Sequence, residues 1–163
     1  MKISSLTGFE SHVLQTPINF PVFVAGKQLV ASIDEIVDNT CVAEFHIWFS
    51  DGYSDYFTMT ESGYVEGGRT VPSKRYAAGI RADLTVLIFL SPGRKTWNFR
   101  YRESNAWILQ GLSGTLDLYF DGDYRFHLYK EADKWRVHDT RLTPRDIDET
   151  LVKRAIEVID RSL

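Results

Sequence analysis

A single cysteine, Cys41, stands in a chain of 163 residues, so no internal disulfide can form and a reducing compartment, the cytoplasm, is the expected setting. No apolar run approaches the roughly 20 residues that a spanning helix needs, which predicts no membrane partner. Met1 to Glu10 carries Lys2 with no apolar stretch behind it, and no secretory signal is expected from it. Equally missing are a phosphate-binding Walker loop, a dinucleotide G-x-G-x-x-G, a G-x-S-x-G elbow and an H-E-x-x-H metal pair. The glycines at 63 to 68 and 91 to 93 lack phosphate-loop spacing. No cofactor is expected.

Two isolated residues need separate treatment. Cys41 sits in an apolar alternating run and reads as a small core residue rather than a nucleophile. His46 shares a strand face with Glu44, two residues away, a spacing that a metal could use. No third ligand accompanies them, so no metal site is expected.

What is present is the material of a folded domain. With 44% apolar, 13% aromatic and 25% charged residues, the chain is too rich in core formers to be disordered and too polar to live in lipid. Its length suits one domain, residues 1–163.

The net charge of -3 conceals a segmentation. Residues 1–68, β-rich by pattern, carry two basic and nine acidic side chains. Residues 69–94, the connecting helix region, and the start of the next strand carry eight basic side chains through Arg102 against Asp83 alone. Residues 103–163 hold nine basic and twelve acidic side chains. Opposite signs can neutralise each other across the fold, or leave a basic patch for an anionic partner. The acidic first half can bind a basic protein or simply maintain solubility.

Hydrophobic alternation predicts five strands between residues 95 and 141. Paired residues in an antiparallel ladder share a face, so each loop length must preserve one apolar side. A three-residue loop at Glu103 to Asn105 would pair Tyr101 with Trp107 and Phe99 with Leu109. The connection through Leu112 and Ser113 would pair Leu109 with Leu116 and Trp107 with Leu118. At Asp121-Gly122-Asp123 a three-residue loop, with Phe120 opposite Tyr124, keeps Leu118 against Phe126, whereas a two-residue Asp-Gly turn would not. A four-residue loop from Lys130 to Asp133 would pair Leu128 with Trp135 and Phe126 with Val137. This register places Trp97, Trp107 and Trp135 on one buried face.

The first half reads similarly. A Gly26-Lys27 turn would pair Val24 with Leu29, Val22 with Ala31 and Phe20 with Ile33. Cys41, Ala43, Phe45, Ile47 and Phe49 share one side of a further strand, and Asp51-Gly52 leads into another over Tyr53 to Met59. Around Asp51-Gly52, the glycine and the apolar pattern favour different loop lengths.

Two helices complete the pattern. One starts near Ser73 and aligns Tyr76, Ile80, Leu84, Leu87 and Ile88, although its β-branched end from Leu84 to Leu90 also suits a strand. The other, over residues 143–162, has Thr143 as N-cap, Pro144 at its first position and a stripe of Ile147, Leu151, Ala155 and Val158. Val152, Ile156 and Ile159 widen that stripe. The expected fold is α+β: two consecutive antiparallel meanders of about four and five strands, each followed by a helix, in one domain.

This register yields a surface that no linear motif shows. Opposite the apolar face, one row would read Arg100, Ile108, Asp117, His127 and Arg136. Its neighbours would contribute Arg102, Tyr119, Arg125 and His138 on one side and Tyr129 and Lys134 on the other. Basic groups interleaved with aromatics suit an anionic partner, either a small ligand or another protein, with single-stranded nucleic acid as the alternative. A third reading makes Asp117 the carboxylate that orients His127 as a general base. The expected role is therefore a small binding or interaction domain rather than an enzyme.

Overall fold

The computed structural model describes residues 3–4, 10–38, 42–60, 65–66, 72–90, 94–111, 114–138 and 147–162. Two compact units divide the chain, Met1–Pro92 and Gly93–Leu163. In each, an antiparallel sheet is followed by a helix, and the class is α+β. Neither described helix is long and apolar enough to cross a membrane.

The first sheet runs in chain order: β1 (Ile3–Ser4), β2 (Glu10–Val24), β3 (Lys27–Asp38), β4 (Val42–Phe49), β5 (Ser54–Thr60) and β6 (Val65–Glu66). Four strands are long and the two at the edges have two residues each. The β2–β3 turn is Ala25-Gly26, both residues at positive φ, which is the type I′ geometry that matches strand twist. Val24 thus pairs with Lys27, Val22 with Leu29 and Phe20 with Ala31, two residues away from the expected register. An even shift leaves every side chain on its expected face, so Phe20, Val22, Val24, Leu29, Ala31 and Ile33 are buried as the alternation requires. Between β4 and β5, Phe49 N donates to Tyr53 O at 2.8 Å and Gly52 N to Phe49 O at 2.9 Å. This three-residue loop, with Gly52 in the left-handed region, satisfies both the glycine and the pairing of Phe45 with Phe57. Cys41 lies outside the described residues.

Helix α1 (Ser73–Leu87) buries Tyr76, Ala77, Ile80, Leu84 and Leu87, so the ambiguous end is helical up to its cap at Ile88. Its tyrosine closes the β4–β5 turn. The Tyr76 ring packs on Phe49 and stacks on Tyr53, while its hydroxyl donates to Asp51 Oδ2 at 2.5 Å. That hydrogen bond holds the Asp51 carboxyl below its ordinary range and raises the Tyr76 hydroxyl. Gly79 lets the helix lie against β2: a Cβ there would collide with the Phe23 carbonyl oxygen.

The second sheet also follows chain order, through β7 (Thr96–Tyr101), β8 (Ser104–Gln110), β9 (Leu116–Phe120), β10 (Asp123–Glu131) and β11 (Lys134–His138). All four registers differ from expectation. Arg102 and Glu103, both at positive φ, form a two-residue turn, so Tyr101 pairs with Ser104, Phe99 with Ala106 and Trp97 with Ile108. The β8–β9 connection departs too, by one residue, so Leu118 pairs with Ile108 rather than Trp107 and Leu116 with Gln110 rather than Leu109; the two odd shifts together reverse β8 between its neighbours, with Ile108 facing the core and Trp107 on the other face across from Tyr119. Trp107 is nonetheless only 1% exposed. At the next turn Asp121 and Gly122 adopt positive φ and Phe120 pairs with Asp123, not Tyr124. A one-residue bulge between Tyr124 and Phe126 then restores Leu118 against Phe126, so the local Asp-Gly preference and the hydrophobic register are both met. Finally, Ala132-Asp133 forms a two-residue turn, giving Leu128 opposite Val137 and Lys130 opposite Trp135, another even shift.

Helix α2 (Glu149–Arg161) covers the core face of this sheet. Leu151, Ala155 and Ile159 pack with Phe99, Ile108, Leu118, Phe126 and Leu128, and each fully buried leucine contributes about 1.5–3 kcal/mol. Trp97 and Trp135 flank the cluster. The N-cap is Asp148, whose Oδ1 accepts from Thr150 N and Leu151 N, rather than Thr143; Thr143 and Pro144 lie outside the described residues. Tyr101 OH donates to Asp148 Oδ2 at 2.8 Å, and Trp97 Nε1 donates to Ser162 Oγ at 2.7 Å, so both helix ends are tied to β7.

Candidate binding face of the second sheet

The face of the second sheet opposite α2 is built by register. Its central row is Thr96, Leu109, Asp117, His127 and His138, read across five strands. The adjacent row contains Asn98, Trp107, Tyr119 and Tyr124, and on the other side Tyr129 lies opposite Arg136. Asp117 and His127 are direct cross-strand partners, as expected. Arg100 and Arg136 do not share their row, because the β7–β8 and β10–β11 turns are each two residues long.

Aromatic contacts link this face from strand to strand. Tyr119 meets Tyr124 edge to face with centroids 5.8 Å apart. Tyr124 OH lies 3.4 Å from His127 Nδ1, and the His127 ring is 5.3 Å from that of His138 and 6.2 Å from that of Tyr129. Three tyrosines and two histidines thus form a continuous platform, half-buried except for exposed His138.

The electrostatics of the platform follow from its burial. Desolvation pushes the Asp117 carboxyl up, offset by His127 and Arg94. It also raises the Tyr119 hydroxyl, with the Asp117 charge adding to the effect. Asp117 is therefore a carboxylate held in a poorly solvating setting, where a cation or a proton is welcome.

The basic residues lie toward the ends of the sheet and in its turns. Arg100 donates to Glu103 O within its own turn at 3.1 Å. Arg102 sits 3.5 Å from Asp148 at the start of α2, with its guanidinium over Tyr101. Arg125 occupies the bulge with its guanidinium over Phe120, and its buried Nε has no hydrogen-bond partner among the described residues. Lys134 lies opposite Glu131 in the backbone register at the far hairpin end, and Arg136 Nε lies 3.7 Å from Glu131 Oε2 in an exposed pair worth little.

Of the ten residues expected at the site, register puts Asp117, Tyr119, His127, Tyr129, Lys134, Arg136 and His138 on one face, with Arg100 on that face at its β7–β8 end, while Arg102 lies in a turn and Arg125 in the bulge. Tyr124 and Trp107 join the face unexpectedly. The Asp-Gly dipeptide signalled Tyr124, since a two-residue turn sets it opposite Tyr119. Nothing in Arg102-Glu103 signalled Trp107. His46, paired by sequence with Glu44, instead places Nδ1 2.6 Å from Asp34 Oδ1. No group of three His, Cys, Asp or Glu side chains suited to a metal occurs among the described residues.

Comparison with known proteins finds no matching family, no matching curated protein and no matching solved structure.

Proposed function

We propose that the chain is a binding domain whose second-sheet face takes an anionic group of a partner protein or small ligand. The observation that carries this reading is the unbroken platform Tyr119, Tyr124, His127, Tyr129 and His138, with Arg136 beside it and Asp117 as its carboxylate. Imidazole N–H groups can donate hydrogen bonds to an anion. Aromatic rings supply apolar contact area at low entropy.

Single-stranded nucleic acid is the alternative partner, since tyrosine faces stack bases. With Arg100, Arg102 and Arg125 engaged elsewhere, only one or two phosphates would be neutralised, and log affinity against log salt would fall with a slope of about -1. The Asp117 and His127 pair also matches an acid–base pair. The platform extends past it on both sides, which favours binding over catalysis.

The test is calorimetry with three probes: inorganic phosphate, an aspartate-rich peptide and a short oligothymidylate. The reading expects at least one to bind, with His127→Gln and His138→Gln weakening it and Arg100→Glu leaving it unchanged. Asp117→Asn should tighten it by removing the competing carboxylate. Absence of binding by all three, or loss on Arg100→Glu alone, would overturn the proposal.

A further inference from the structure

The outward face of the first sheet carries a second surface. Five large hydrophobic side chains are strongly exposed among the described residues, and four lie here: Val13 at 73%, Phe23 at 46%, Val30 at 50% and Trp48 at 48%. Register makes three of them neighbours. Pro21 lies opposite Val30, Phe23 is two residues along the same strand, and Ser32, next on that face after Val30, lies opposite Trp48. The core positions Phe20, Val22, Val24, Ile33, Ile47 and Phe49 alternate with these, so the patch faces away from α1.

A β-bulge sets the chemistry beside it. Ile33 pairs with Ile47 and Glu35 with His46, leaving Asp34 as the extra residue on β3. The bulge keeps both Ile33 and Ile36 in the core and turns two consecutive carboxylates toward adjacent aromatic side chains. Asp34 Oδ2 accepts from Trp48 Nε1 at 2.8 Å while its Oδ1 meets His46 Nδ1. Glu35 Oε2 accepts from Tyr56 OH at 3.5 Å, and the Tyr56 ring packs on His46 with centroids 4.5 Å apart. Trp48 is therefore held in place by Asp34 although half its surface is open. Glu44 adds a third carboxylate on the same face, opposite Thr58.

Charge complementarity identifies the occupant. Lys27 is the one Lys or Arg between residues 13 and 60. It lies at the β2–β3 turn and acts on Asp51, whose turn is closed by α1 on the opposite side of the sheet. The outward positions of β2 to β5 thus combine exposed apolar surface with Asp34, Glu35 and Glu44 and no permanent cation among the described residues. Exposed patches of this composition mark protein contact sites. Aromatic rings beside carboxylates suit guanidinium groups through cation–π and charge-assisted contacts. We infer that this face docks an amphipathic basic segment of another protein, with arginine or lysine reaching Asp34, Glu35 and Glu44 and apolar residues covering Phe23, Val30 and Trp48.

The experiment uses the full chain and a labelled peptide of alternating Arg and Leu, with an alternating Glu and Leu peptide as the control of equal apolar content. The expected result is saturable anisotropy with the Arg-Leu peptide at low salt and a shift of the Trp48 indole N–H, while His127 signals stay still. Val30→Lys combined with Glu44→Lys should weaken binding by roughly tenfold or more, with thermal unfolding showing that the variant is folded. Lack of Arg-Leu binding, equal binding of the Glu-Leu peptide, or full affinity in the folded double variant would overturn the inference. A Trp48 shift that follows protein concentration without peptide would also overturn it, because the occupant would then be a second copy of the chain.

Discussion

The two sheets share a construction and differ in how their strands are joined. In the first, the β2–β3 turn contains a glycine and its register departs from expectation by two residues, leaving every face intact. In the second, β7 and β8 meet through Arg102-Glu103, two side-chain-bearing residues in the left-handed region, and the departure is odd. The difference teaches that parity, rather than the size of a register error, decides what a surface contains. A slip of two preserves a sheet face, and a slip of one exchanges it.

The largest test of this comparison concerns what covers each core. Ending the chain after Arg141 removes Leu151, Ala155 and Ile159 from Phe99, Ile108 and Leu118. The second unit is expected to lose its cooperative transition and aggregate, as light scattering and calorimetry would show. A soluble fragment with cooperative unfolding of that unit would contradict the packing. Phe45→Ala in the first sheet, fully buried opposite Phe57, should cost about 3–5 kcal/mol by denaturant titration. A loss below about 1 kcal/mol would place Phe45 outside a well-packed core.

Turn chemistry separates the sheets at a smaller scale. Glu103→Gly relieves positive φ at the second turn position and should raise stability by about 0.5–1 kcal/mol. Gly26→Ala imposes a similar strain on the first sheet and should lower it by about 1 kcal/mol. If Glu103→Gly destabilises, the two-residue turn, and with it the β7–β8 register, is wrong.

Each unit also holds one carboxylate through a tyrosine: Asp51 by Tyr76 and Asp148 by Tyr101. Both carboxyls are lowered, chiefly by these hydroxyls, so the folded state resists their protonation. Their contribution is present above the unfolded carboxyl pKa of about 3.9 and is lost as pH falls through the lower folded value. Both tyrosines are raised, Tyr76 mainly by its hydrogen bond and Tyr101 mainly by desolvation. That contribution is present below about pH 10 and disappears as pH rises through the folded value. Tyr76→Phe and Tyr101→Phe should flatten stability profiles at both extremes, most visibly below pH 4. Unchanged profiles would remove these pairs from the account.

The smallest effect belongs to Asp117, raised by burial, for which ionisation is unfavourable in the folded state as pH climbs past its unfolded value. Asp117→Asn should therefore raise the melting temperature at neutral pH, by less than about 3 °C. A clear decrease would show that the carboxylate is needed structurally by His127.

Much of the fold was legible because period is a strong signal. The alternation of Phe45, Ile47 and Phe49, and of Leu116, Leu118, Phe126 and Leu128, marked buried faces that the structure keeps. The stripe Leu151, Ala155 and Ile159 marked α2. Loops were harder, since type I′ turns usually announce themselves by Asn or Gly, and neither Arg102-Glu103 nor Ala132-Asp133 has the pair. Ile108, flanked by Trp107 and Leu109, gave β8 an apolar residue for either face, so its alternation could not correct the turn. The bulges at Asp34 and beside Tyr124 are invisible to strict alternation, and each reorganises a candidate surface. Of the expected site, the Asp117 and His127 partnership survived because it depends on the β9–β10 pairing, where the bulge restored register. The arginine rows depended on turns with no signal and dissolved.

The most direct test of the account is a residue-resolved NMR titration of the full chain at pH 6 with an aspartate-rich peptide, observing histidine and tyrosine ring signals together with arginine side-chain N–H groups. The predicted result is saturable shifts at His127, His138, Tyr119, Tyr124 and Tyr129, with Arg100 and Arg102 unmoved. Shifts centred on Arg100 and Arg102, with the aromatic face silent, would contradict it.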